Sequence, residues 1–214
     1  MRNYIHNPMK IEDTSFDIIN NELNEMGKQV PQEFQHIIHR VIHTTADFEY
    51  ADLLHFSDGV LQVIEQALNH GCNIITDVQM VLAGVNKKTL QNIGCQTYCF
   101  ISDSQVESLA KEQSITRSMA SIQFAKPYLP NSIVLIGNAP TFLFELLSAI
   151  ENESLRPAAI IGTPVGFVGA VEAKELLLQQ LNIPFIVSRG RKGGSPVAAA
   201  ILNAILKQRM NQRA

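Results

Sequence analysis

Five short apolar runs, each followed by a stretch of helical periodicity, constrain this chain more than any other feature. They are CNIITD (72–77), QTYCFIS (96–102), SIVLIGN (132–138), PAAIIG (157–162) and PFIVSRG (184–190). Each is a nearly unbroken apolar stretch and not an apolar–polar alternation, so each reads as a strand covered on both faces. Parallel neighbours need a long crossover between them, and the intervening segments have the length and period of helices. The expected class is therefore α/β: a single doubly wound domain over residues 1–214, with a five-stranded parallel sheet flanked by helices. At 214 residues and 46% hydrophobic content, the chain can cover such a sheet on both sides.

The first third of the chain reads as helical. Residues 1–11 form an irregular lead-in, and Asp13, Thr14 and Ser15 are candidate caps for a helix ending near Met26, before Gly27. Pro31 is a candidate first helical residue for PQEFQHIIHRVIHT (31–44). Residues 49–56 read as one or two further helical turns, and Ser57 and Asp58 as caps of the next helix. In the 31–44 segment Phe34, Ile37, Ile38, Val41 and Ile42 form the apolar stripe. His36, His39 and His43 gather on the other flank, with Arg40 one turn before His43.

That flank admits three readings. His36 and His39 fit a solvated polar face. His39 and His43, spaced i,i+4, could share a metal ion, but Arg40 stands where the HExxH pattern has its glutamate, and a cation beside a metal is unfavourable. In the third reading His43 is a general acid or base at the helix end, and Arg40 holds an anionic substrate.

In a doubly wound sheet the ligand lies at the C-terminal edge of the strands. That edge carries TD (76–77), GN (137–138), GTPVG (162–166) and SRGRKGG (188–194). GNAPT (137–141) puts a helix N-terminus straight after a strand, where free amides favour an anion. GTPVGFVGA (162–170) is neither GxGxxG nor a phosphate-binding loop ending in Lys-Ser/Thr. RGRKGGS (189–195) could clamp a carboxylate or phosphate, or be a solvated loop. Arg117 opens a helix at its positive end, which an anionic ligand or simple surface tolerance would explain.

The net charge of -3 argues against non-specific nucleic-acid binding. The three cysteines, Cys72, Cys95 and Cys99, have no framework spacing, so reduced thiols and a cytoplasmic address are expected, with Cys95 and Cys99 on one face of a strand. No apolar run is long enough to span a membrane, and the N-terminus lacks a signal-peptide pattern.

Taken together, SFDII with Ser15, RVIHTTADFE with Arg40 and His43, TDVQMV with Asp77, TRS with Arg117, IGNAPT with Asn138, GTPVGFVGA, and RGRKGGS with Arg191 resemble the precorrin-8X methylmutase family of cobalamin biosynthesis. The resemblance runs over nearly the whole chain. It implies an isomerase that moves a methyl group from C-11 to C-12 of ring C of a corrinoid, usually described as a 1,5-sigmatropic shift. The product is a cobyrinic or hydrogenobyrinic acid. It further implies that His43 is the catalytic proton donor and that Ser15, Arg40 and Arg117 contact the substrate, with Asn138 and Arg191 as further candidates from the two loops. No cofactor and no protein-bound metal are expected, because any cobalt arrives inside the substrate. The implied partners are the corrinoid and a second copy of the chain in a homodimer. Thr44-Thr45-Ala46-Asp47 after His43 resembles the cobalt-dependent members. Two alternatives are a non-catalytic corrinoid carrier and an unrelated Rossmann-like enzyme holding a nucleotide at GTPVGFVG.

Overall fold

A computed structural model describes residues 6–179 and 182–213. The chain opens with α1 (Pro8–Glu25), α2 (Gln35–Thr45) and the short α3 (Tyr50–Leu53), which runs into β1 (Leu54–Phe56). Next come α4 (Val60–Asn69), β2 (Asn73–Thr76), α5 (Gln79–Gly84), α6 (Lys87–Asn92) and β3 (Gln96–Tyr98). Two helices, α7 (Ser104–Glu112) and α8 (Arg117–Ala125), precede β4 (Ile133–Ile136), with a 3-10 turn (Lys126–Tyr128) between α8 and the strand. The chain ends with α9 (Pro140–Glu153), β5 (Ala159–Gly162), α10 (Ala170–Leu178), β6 (Phe185–Ser188) and α11 (Ser195–Arg213).

The strands form one sheet in the order β1-β6-β5-β4-β2-β3. The five expected strands are β2 to β6, and they pair in parallel. The helical reading of residues 49–56 holds for α3 and is corrected by the sixth strand for its second part: β1 pairs antiparallel with β6, with Leu54 opposite Ser188. Three residues are too few for a period to show. Their pairing covers a β6 edge that would otherwise be left open.

Side chains alternate across the sheet, as the pleat requires. Ile74, Ile133, Leu135, Ala159, Ile161 and Ile186 face the core built with α1, α2, α4 and α11. Ile75, Val134, Ile136, Ile160, Phe185 and Val187 face the core built with α8, α9 and α10. Double coverage is why β2, β4, β5 and β6 read as apolar runs, and each fully buried isoleucine contributes about 1.5–3 kcal/mol. Strand β3, at the sheet edge, is half-buried and corrects the expectation of coverage on both faces there.

Helix starts deviate from expectation in three places. The helix begins at Pro8, so Asp13, Thr14 and Ser15 lie inside α1 and do not cap it; the first five residues of the expected lead-in fall outside the described residues. Pro31 precedes a turn closed by Phe34 N–H to Pro31 O at 3.0 Å, and α2 starts at Gln35. Ser57 accepts the Phe185 N–H at 2.8 Å, tying β6 to the turn before α4, where Gly59 takes the N-cap position. Cys95 and Cys99 flank β3 and do not lie in it; both are free thiols, as is Cys72. The sequence reads as helical from Gly169 to Leu181; α10 covers Ala170–Leu178, and residues 180 and 181 lie outside the described residues.

Candidate active site

The apolar stripe of α2 lies buried against α1 and α11, with Ile37 and Val41 fully enclosed. This fixes the rotation of the helix and turns its polar flank toward α1. Ala46 adopts a left-handed conformation (φ 52°) and returns its N–H to Ile42 O, ending α2 just past His43. His43 is exposed in this last turn. The Phe16 ring of α1 meets it edge-on, with centroids 5.6 Å apart. The same ring lies under the Arg40 guanidinium, whose Cζ is 4.8 Å from the centroid. Phe16 therefore binds the candidate acid and the candidate anion clamp into one unit.

Arg40 is not a lone cation. It pairs with Glu12 of α1, and Lys207 of α11 donates to the same carboxylate oxygen at 2.7 Å. Hydrogen bonds from Lys207 and Arg40 hold Glu12 down at about 2. Beside this triad an open cleft of about 600 Å³ runs between α2 and α11, lined among others by Arg40, Thr44, Pro196, Ala200, Asn203 and Leu206. His43 follows on the adjoining face of α2 and is not part of the cleft wall. Ser15 lies one residue before Phe16 and is partly buried; its hydroxyl donates back to Ile11 O at 2.8 Å.

His36 and His39 correct the solvated-face reading. His39 is buried and packs near the Phe16 ring at 6.4 Å, and His36 is half-buried. Burial lowers the pKa of both rings. A shared ion for His39 and His43 would need one buried ring and one exposed ring.

The GNAPT amides hold an anion, but it belongs to the protein. Asp77, fully buried at the end of β2, accepts from Gly137 N (3.1 Å), Asn138 N (2.8 Å) and Ala139 N (2.8 Å). Burial pushes its carboxyl up, and the amides pull it back. The helix N-terminus expected to bind ligand is thus internally filled, while the Asn138 side chain stays exposed.

Arg117 begins α8, as its position after Thr116 predicts. Thr116 caps the helix by accepting Met119 N at 3.2 Å and bonds Thr141 Oγ1 at 3.2 Å, so the first turns of α8 and α9 adjoin. Arg117 and Asn138 therefore share the C-terminal strand edge. They belong to the side of the sheet covered by α8 and α9, whereas Arg40 and His43 stand on α2, which packs on the opposite side. Arg191 is exposed on the loop after β6, its Cζ 5.4 Å from the Phe167 ring centroid. That loop is tied to the end of α2 by Lys192 Nζ to Asp47 at 2.5 Å, and Gly137 abuts Ser195 so closely that a Cβ would lie 2.6 Å from its Cα.

A family model for precorrin-8X methylmutase matches residues 10–208. The chain belongs to the precorrin-8X methylmutase family. It is 44% identical to the cobalt-precorrin-8 methylmutase of Leptospira interrogans over 213 residues, covering 96% of each chain. It is 38% identical to the precorrin-8X methylmutase of Pseudomonas aeruginosa over 210 residues, covering 98% of this chain and all of the other. A crystal structure of the Thermus thermophilus precorrin-8X methylmutase superposes with a TM-score of 0.83 at 35% identity, covering 95% of this chain and 99% of that one. The α/β architecture is thus that of a methylmutase, and the chain is an isomerase of cobalamin biosynthesis.

For this methylmutase, reading the sequence missed Glu12, Phe16, Lys207 and the role of Asp77. Asp77 did leave a signal: an acid closing a largely apolar, buried strand needs donors of its own, here the backbone amides. Glu12 and Phe16 left none, since only the packing of α1 on α2 brings them to Arg40.

Proposed function

We propose that this protein is a cobalt-precorrin-8 or precorrin-8X methylmutase that moves the methyl group from C-11 to C-12 of ring C, with His43 as the proton donor. The observation that carries this reading is the unit at the end of α2, an exposed imidazole and a guanidinium both in contact with one Phe16 ring beside an open cleft. The corrinoid carries several carboxylates around an apolar macrocycle. Pro196, Ala199, Ala200 and Leu206 give the cleft an apolar floor, and Arg40 and Lys207 give it charge. A substrate carboxylate would replace Glu12 on one or both cations. Arg117, Asn138 and Arg191 hold further carboxylates along the strand edge, and Ser15 adds a hydroxyl.

In the chemical step the His43 imidazolium protonates, or donates a hydrogen bond to, a ring nitrogen near the migrating methyl. This withdraws electron density from the π-system as the bond from C-11 breaks and the bond to C-12 forms. The methyl never leaves the substrate, and the product gains the conjugated corrin. The active species is a homodimer in the cytoplasm, of twice the 23.7 kDa chain mass.

The test is a single-turnover assay with each variant saturated by substrate. His43→Ala should bind the corrinoid and lose about 10²–10⁴ in rate, the usual worth of general acid help. His36→Ala should turn over near normally. Near-normal turnover by His43→Ala would refute the assignment.

A further inference from the structure

Lys174 lies on the buried face of α10, in register with Ala170, Ala173 and Leu177, and is fully enclosed. Its Nζ donates to the backbone carbonyl of Lys192 at 2.9 Å. Ser188 Oγ donates to the same oxygen, also at 2.9 Å. Burial presses the amine down to about 8, partly offset by the neighbouring Glu175. A methionine would fill this space without burying a polar head, so packing does not account for the amine.

The carbonyl that Lys174 holds is the middle one of three pinned in succession on the 189–194 loop. Gly166 N–H donates to Arg191 O at 3.2 Å, and Tyr50 O–H donates to Gly193 O at 3.4 Å. Gly194 N–H donates to Thr163 O at 2.8 Å. At Gly193 a Cβ would lie 2.2 Å from Thr163 O, so the backbone is pressed against the neighbouring loop. With the peptides fixed in this way, Arg191 rests over Phe167, and Lys192 reaches Asp47 at 2.5 Å and Glu49 at 3.1 Å in the segment just after His43.

We propose that Lys174 is a positioning residue: its buried amine anchors the Lys192 carbonyl, so that the 189–194 loop presents Arg191 to a substrate carboxylate and ties down the chain leaving the His43 helix. The proposal rests on the reading of Arg191 as a substrate contact. Lys174 itself touches no substrate.

The experiment compares wild type, Lys174→Met, Ser188→Ala, Arg191→Ala and the Lys174→Met/Arg191→Ala pair. The loop carries its own probe, because Arg189, Arg191 and Lys192 are trypsin sites. Lys174→Met should keep a cooperative unfolding transition and be cut within 189–192 at least about tenfold faster. Its dissociation constant for hydrogenobyrinic acid, read by absorbance titration, should rise about tenfold. Its single-turnover rate at saturation should change by less than about threefold. The double variant should bind no more weakly than Arg191→Ala alone, since both changes remove one contact. Wild-type protection of the loop in Lys174→Met would overturn the proposal, as would additive losses in the double variant. A loosened loop with unchanged affinity in both Lys174→Met and Arg191→Ala would instead sink the assignment of Arg191. Should Lys174→Met fail to fold, Ser188→Ala must show the same loosening and the same loss of affinity, at smaller size, or the proposal fails.

Discussion

Glu12 decides how Arg40 can work. In the sequence Arg40 looks like a bare cation waiting for substrate, and 28 positions separate it from its partner. Folding gives it Glu12, shared with Lys207. An incoming carboxylate therefore competes with a side chain already in place. Arg40→Ala and Arg117→Ala should each weaken corrinoid binding by roughly 1.5–3 kcal/mol where the contact is buried, without loss of fold. Unchanged affinity in both would move the carboxylates to other residues. Glu12→Gln should tighten binding by freeing Arg40 while lowering stability. Because the folded-state value of about 2 lies below the usual 4.5, the carboxylate's contribution is complete above pH 4.5 and fades as pH falls toward 2. Water reaches the triad, so the stability loss at pH 7 should be about 1–2 kcal/mol. Urea unfolding should show the difference from wild type shrinking at pH 3; an equal difference at both pH values would mean Glu12 acts through packing.

At the scale of elements, what could be read from the chain follows from burial. Strands β2, β4, β5 and β6 were legible because both of their faces are covered, whereas the edge strand β3 is only half-buried and was legible from its apolar run alone. In the sequence Gly84 and Asn86 split the helical pieces 78–85 and 88–93, and the structure shows why: Asn86 caps α6 by accepting Thr89 N at 3.1 Å. Strand β1 was not legible, since its three residues gain strand geometry only from pairing with β6. The start of α1 was misplaced because Thr14 and Ser15 are cap-forming types that tolerate a helix interior, where the Ser15 hydroxyl bonds back to Ile11 O. The candidate site was legible where one helix carries it, at Arg40 and His43, and illegible where two elements must meet. Asp77 shows the energetic side of such a meeting. Asp77→Ala would strand three amides at the start of α9, and should cost about 3 kcal/mol in chemical denaturation. A loss under 1 kcal/mol would mean that water or a shifted loop replaces the carboxylate readily.

Across the whole molecule, the strand order reverses between β2 and β4, the crevice where open α/β sheets receive ligand phosphates on a helix N-terminus. Here Asp77 closes that crevice from the β2 side and occupies the amides from the β4 side. A nucleotide phosphate would have to displace a buried carboxyl group that is covalently tied to the sheet and already holds the three amides. The next strand edge offers GTPVGFVGA, where the Thr163 carbonyl is already committed to Gly194 N–H and the Gly166 N–H to Arg191 O. Off the crevice, Arg117 and Arg191 are exposed, and Arg40 and Lys207 share Glu12 beside the cleft between α2 and α11. A methyl shift within one molecule calls for no donor and no redox partner. Exhaustively dialysed enzyme should therefore convert substrate at its full rate, and S-adenosylmethionine, nicotinamide nucleotides and divalent metal should neither raise the rate nor bind measurably in equilibrium dialysis at 100 μM, an order-of-magnitude ceiling below which a specific cofactor site would register. Restoration of activity by any one of them would overturn the intramolecular reading. Nucleotide binding that survives in wild type and strengthens in Asp77→Ala would show the crevice to be a nucleotide site held shut by its own carboxylate.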